Sequence, residues 1–100
     1  MLNIVKTAEG ANTVFELEGR LDTVTAPNLE QEIKDCIEDV QELVLNIEKL
    51  EYISSAGLRV LLFAQKSMNG RAGKLIIKGA SEAVMEIFEV TGFDEILTII

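Results

Sequence analysis

Apolar and polar positions along the chain repeat with two different periods. Leu2 to Lys6 and Thr13 to Glu18 alternate residue by residue, the second setting Val14, Glu16 and Glu18 against Phe15 and Leu17, and a period of two predicts β-strands. Glu9-Gly10-Ala11-Asn12 between them has turn chemistry, so the pair is expected to form a hairpin. After Gly19-Arg20-Leu21-Asp22, which reads as a turn, the period lengthens. Leu29, Ile33, Ile37 and Val40 fall on one face of a helix, with Thr25 placed as its N-cap and Pro27 in the first turn, where a missing N–H is harmless. The opposite face carries Glu30, Glu32, Asp35, Glu38 and Asp39 with only Lys34 among them, the pattern of a solvated helix face.

Glu42 to Ile47 contains Leu43-Val44-Leu45 and Ile47, a run that predicts a strand buried on both sides, and Leu50 to Ile53 extends it toward two serines. A second helix follows with Leu58, Leu61, Leu62, Gln65 and Met68 at helical spacing, stopping before Gly70 and Gly73. Lys74 to Lys78 reads as a strand. Ser81 caps a third helix that turns Val84, Ile87 and Phe88 inward and ends at Gly92, and Glu95 to Ile100 closes with a strand. The order β-β-α-β-α-β-α-β predicts the α/β class: a mostly parallel, mixed sheet with right-handed crossovers and helices packed against it.

At 100 residues the chain is expected to be one domain, 1–100, and its 48% of hydrophobic residues is enough for a core. No apolar run approaches the ~20 residues that span a bilayer, and no basic segment precedes a hydrophobic one at the start, so the expectation is a cytoplasmic protein away from the membrane. The single Cys36 has no cysteine or histidine at metal-ligand spacing and reads as a buried helical residue; no metal and no cofactor are expected. A formal charge of −8, without clustered Lys and Arg, excludes nucleic-acid binding through phosphates, and five aromatics without tryptophan leave few stacking platforms. The expected partner is a protein with a neutral or basic surface.

Candidate chemistry concentrates at Ser54 and Ser55, placed at the carboxyl end of a buried strand and the amino end of a helix, where open α/β sheets put their ligands. Either serine suits a cap that accepts a free N–H of the first turn. A serine nucleophile needs a base, and the chain has no histidine; no Gly-x-Ser-x-Gly surrounds Ser55, and nothing in the spacing selects Lys49 or Lys66 for a Ser-Lys pair. Phosphate binding is supported only by Gly57, with no Gly-Lys-Ser or Gly-x-Gly. Covalent phosphorylation is the third option, because a hydroxyl at a helix start is exposed and the helix dipole tolerates the charge.

Three stretches together carry a resemblance: GRLDTVTAPNLEQEI (Gly19 to Ile33), LVLNIEKLEYISSAGLRVLL (Leu43 to Leu62) and VMEIFEVTGFDEILTI (Val84 to Ile99). In that order and spacing, over nearly the whole chain, they resemble the bacterial anti-sigma factor antagonists of the STAS domain family. The resemblance implies a partner-switching module, a substrate rather than an enzyme. The unphosphorylated antagonist binds an anti-sigma factor that is also a serine kinase; phosphorylation releases it, and a serine phosphatase resets it. The family loop reads Asp-Ser-Ser/Thr-Gly-Leu-Gly, and by position its phosphorylated serine is Ser55.

Ser54 stands here where the family has aspartate, Ala56 where it has a second hydroxyl, and Arg59 where it has glycine; Ser55, Gly57 and Leu58 fit. Arg59 adds a cation able to pair with a phosphate on Ser55. Gly19-Arg20-Leu21-Asp22 resembles the family's Gly-x-Leu/Ile-Asp, which implies a recognition role for Asp22, alongside its plain reading as a turn aspartate bonded to nearby N–H groups. The partner-binding set is therefore Asp22, Thr25, Ser54, Ser55, Ala56, Gly57, Leu58 and Arg59. The alternative is a STAS module whose loop does not switch and which acts as a fixed interaction surface in a signalling assembly. The free protein is expected to be a monomer.

Overall fold

A computed structural model describes all residues, Met1–Ile100. The elements are β1 (Leu2–Glu9), β2 (Asn12–Leu21), α1 (Ala26–Cys36), β3 (Glu42–Ile53), α2 (Ser55–Gly70), β4 (Lys74–Lys78), α3 (Glu82–Thr91) and β5 (Thr98–Ile99), with short 3-10 turns at Ile37–Asp39 and Phe93–Glu95. The sheet order is β1-β2-β3-β4-β5. The β1–β2 hairpin is antiparallel and every later pairing is parallel, which makes the sheet mixed but mostly parallel.

Each crossover steps one strand in the same direction, and right-handed connections then gather the helices over one face. The buried strand positions lie in register on that face: Thr13 opposite Leu43 opposite Leu75, and Phe15 opposite Leu45 opposite Ile77. Leu29 and Ile33 of α1, Leu61 and Met68 of α2, and Val84 and Phe88 of α3 join them in a single hydrophobic core. Ser81 caps α3 by accepting the Val84 N–H, and Gly92 ends it with φ of 80°, a left-handed position that suits glycine.

This one-sided layering corrects the expectation of a central strand buried on both faces. Leu43, Leu45 and Ile47 are buried, whereas Val44 and Asn46, pointing to the face that carries no helix, are half-exposed. Gly19-Arg20-Leu21 is not a turn but the end of β2, whose register against β3 shifts between Glu16 and Glu18 and again between Gly19 and Arg20. Gly19 sits at φ of 111°, where a Cβ would collide with the Met1 carbonyl. The expected final strand over Glu95 to Ile100 is reduced to Thr98–Ile99, because Phe93–Glu95 winds into a 3-10 turn. α1 likewise ends at Cys36, which is buried; Ile37 and Val40 are buried from the connection that follows. The Arg71 guanidinium holds that connection by donating to the carbonyls of Ile37, Glu38 and Val40.

Candidate functional site

The site is built where β2 and β3 end side by side. β2 runs out at Leu21 and the chain turns through Asp22-Thr23-Val24-Thr25 into α1. Asp22 Oδ1 accepts the N–H groups of Val24 at 3.0 Å and Thr25 at 3.1 Å. Thr25 Oγ1 donates to the Arg20 carbonyl at 2.8 Å and accepts the Asp22 N–H at 2.9 Å. Thr25 directly precedes α1, but its backbone is already helical and its side chain makes no cap bond. Its buried hydroxyl fastens the turn to β2 instead: Pro27 has no N–H to be capped, and the Asn28 N–H donates to the Thr25 carbonyl. The Thr25 N–H, opposed by burial and then joined by the Val24 N–H, the Thr25 hydroxyl and the N-terminal ammonium, holds the Asp22 carboxyl below its usual 3.8.

β3 runs out at Ile53, and the next N–H, that of Ser54, donates to the Leu21 carbonyl at 2.8 Å. This bond ties the two strand ends together and brings the Asp22 turn beside the serines. Ser54 is extended and its Oγ accepts the Gly57 N–H at 3.3 Å, so it is the N-cap of α2. Ser55 is the first helical residue and is exposed, with its hydroxyl left out of the cap. The two hydroxyls thus divide the roles that the sequence leaves open for either.

Gly57 sets the distance between α2 and β2. A Cβ there would lie 2.8 Å from Leu21 Cγ and 2.9 Å from Ile53 Cγ1, both in the core. Only a residue without a side chain lets the first turn of α2 press onto the two strand ends. Between that turn and α1 lies a shallow groove of about 270 Å³, walled by Thr23, Ala26, Pro27 and Glu30 on one side and Ala56, Arg59 and Val60 on the other.

The expected site residues fall into two groups. Ser55 and Arg59 are exposed, Ala56 is half-buried in the groove, and Asp22 and Ser54 are half-buried in the turn and cap. Thr25, Gly57 and Leu58 are buried and shape the surface from beneath. Val24, 82% exposed at the tip of the Asp22 turn, lies outside the expected set. Its signal was an apolar residue inside an otherwise polar turn. Neither lysine considered as a base is placed for one: Lys66 lies eleven residues along α2 from Ser55, roughly 16 Å of helix, and Lys49 lies six residues back along β3, roughly 20 Å.

The sequence profile of the STAS domain matches residues 3–100. The chain belongs to the STAS domain family. The anti-sigma-B factor antagonist of Staphylococcus aureus is 29% identical over 97 residues, covering 96% of this chain and 90% of that protein. Two solved structures share the fold: an anti-sigma factor antagonist from Mycobacterium paratuberculosis, at a TM-score of 0.87 and 24% identity over 99% of this chain and 85% of that one, and the Bacillus cell fate determinant SpoIIAA in its phosphorylated form, at 0.77 and 20% over 100% and 91%. No helix of this STAS domain is long and apolar enough to cross a membrane.

Proposed function

We propose that this STAS domain is a phospho-regulated anti-sigma factor antagonist that binds an anti-sigma factor with serine kinase activity through the α1–α2 groove and the Asp22 turn. The observation that carries the reading is the exposed Ser55 hydroxyl at the start of α2, left free because Ser54 does the capping. Relatives named as anti-sigma factor antagonists support the partner class. The antagonist acts in the cytoplasm, where its kinase finds ATP, and serves as substrate rather than enzyme.

In the unphosphorylated state, Val24, Pro27 and the stem of Arg59 offer apolar surface, and Asp22 Oδ1 and the Thr25 hydroxyl are already bonded within the turn. The kinase transfers the γ-phosphoryl group of ATP to Ser55 Oγ; the hydroxyl proton leaves, the P–O bond to ADP breaks, and a phosphate monoester remains. The monoester adds about −1.5 to −2 charges and three acceptor oxygens. Within the α2 first turn the helix dipole and free N–H groups favour it, so the fold is kept. Against a packed partner it must be desolvated, and a buried charge without an ion pair costs several kcal/mol, where ~1.4 kcal/mol is already tenfold in affinity. A serine phosphatase reverses the step by hydrolysis.

Arg59 supports a second reading, a constitutive STAS interaction module. It lies four residues after Ser55 on α2, within reach of a phosphate there, and a paired phosphate repels a partner less. One experiment separates the two: wild type, Ser55→Ala and Ser55→Asp as baits in the source cells, with the intact mass of the native protein measured. Switching predicts that Ser55→Ala retains a partner that Ser55→Asp loses, with a singly phosphorylated species present. Equal capture by all three and an unmodified mass would leave the fixed surface.

A further inference from the structure

The face of the sheet that carries no helix holds one unbroken row of β-branched residues across all five strands. Thr7 pairs with Val14, Val14 with Val44, Val44 with Ile76, and Ile76 with Thr98. At ~4.8 Å per strand the row is about 19 Å wide, and each of its members is partly or fully exposed. The neighbouring row runs Val5, Glu16, Asn46, Lys78, with Val5 48% exposed. The row on the other side runs Glu9, Asn12, Glu42, Lys74. A polar rim around an apolar stripe marks a contact surface.

The charges on this face are sorted by strand, and the sorting selects the occupant. Glu16 and Glu18 point outward from β2, while Lys74 and Lys78 point outward from β4, with β3 midway. A two-fold axis lying along β3 lays β2 of one copy over β4 of the other at the same height. Val44 then meets Val44, Val14 meets Ile76, and Glu16 meets Lys78, the last two contacts occurring twice. Sheets stacked face to face pack about 10 Å apart with strands within ~30°, which keeps these central strands in reach. We propose that this face forms an isologous dimer of the STAS domain, opposite the helices and away from Ser55.

The dimer is weak by construction. A face about 19 Å wide and some three rows deep offers less than the ~800 Å² per partner of a standard interface, which places it among weak, transient contacts. Glu42 and Glu48 both sit on the axis and each meets its own copy, so two opposed like charges further limit the affinity.

Sedimentation equilibrium of the purified chain up to about 1 mM tests the proposal, with circular dichroism confirming that each variant is folded. Wild type should shift from monomer to dimer, Val44→Lys should remain monomeric, and Glu42→Gln should dimerise several-fold more tightly. Glu16→Lys and Lys78→Glu should each weaken the dimer, and the double variant should recover most of the loss, a restoration that general surface effects do not produce. Ser55→Asp should leave the constant unchanged, so the result is independent of the switching reading. A monomer at 1 mM, a dimer indifferent to Val44→Lys, or a double variant no better than the singles would overturn it.

Discussion

Two adjacent serines in this chain have the same side chain and different surroundings, and stability should tell them apart. Ser54 Oγ accepts the Gly57 N–H, so Ser54→Ala orphans that donor and should cost about 1 kcal/mol. Ser55 is exposed and outside the cap, and Ser55→Ala should change stability by less than ~0.5 kcal/mol. Urea melts of the two variants check this directly, and equal losses would mean that the cap is shared. Asp22 offers a pH test of the neighbouring turn. Its folded pKa is depressed, chiefly by the Thr25 N–H, so its contribution is fully present above the ordinary value of 3.8 and fades as pH falls through the lower folded value. The difference in stability between wild type and Asp22→Ala should accordingly be constant at neutral pH and narrow once pH drops below 3.8. A gap that widens in acid would mean that the fold favours the protonated carboxyl, burial outweighing these N–H groups.

At the scale of elements, Gly57 decides whether α2 can sit where it does. Adding a methyl group forces Leu21 or Ile53 off a close contact in a core with no spare room, and Gly57→Ala should cost about 1–3 kcal/mol even though alanine is the better helix former. A denaturant midpoint that instead rises would mean that α2 stands off the strands in solution. What the sequence made legible follows the same division between local and non-local causes. Period-two runs, the Gly10 turn, Pro27 and Gly92 act within a few residues, and they marked the hairpin, the helices and most boundaries. The exposure of Val44 was illegible because Leu43-Val44-Leu45 is compatible with one covered face or two, and only the strand order chooses. The cap role of Thr25 failed because Pro27 brings no N–H to the first turn and the Asn28 N–H goes to the Thr25 backbone carbonyl, which leaves the hydroxyl to the Arg20 carbonyl. The short β5 and the Arg71 clamp on the end of α1 depend on parts of the chain far apart in sequence, which periodicity does not report.

For the whole molecule, the formal charge of −8 should produce opposite salt responses in folding and in binding. Acidic groups outnumber basic ones, and one side-chain ion pair, Lys34 with Glu30 at 3.1 Å on the surface, offsets them only slightly. Compacting that charge into a body with a radius of gyration of 12.2 Å brings like charges within a Debye length at low salt. At 0.1 M that length shrinks to ~10 Å, so repulsion across the molecule is already mostly screened. The unfolding midpoint should therefore climb as sodium chloride rises from about 0.01 to 0.15 M and level off beyond. Association with a partner whose docking surface is basic should move the other way, its rate falling over the same range because steering is lost. Thermal melts and stopped-flow association at matched salt read both slopes from one preparation. A midpoint that falls with salt would mean that attractive pairs dominate the fold, and an association rate that rises with salt would place an acidic surface on the partner.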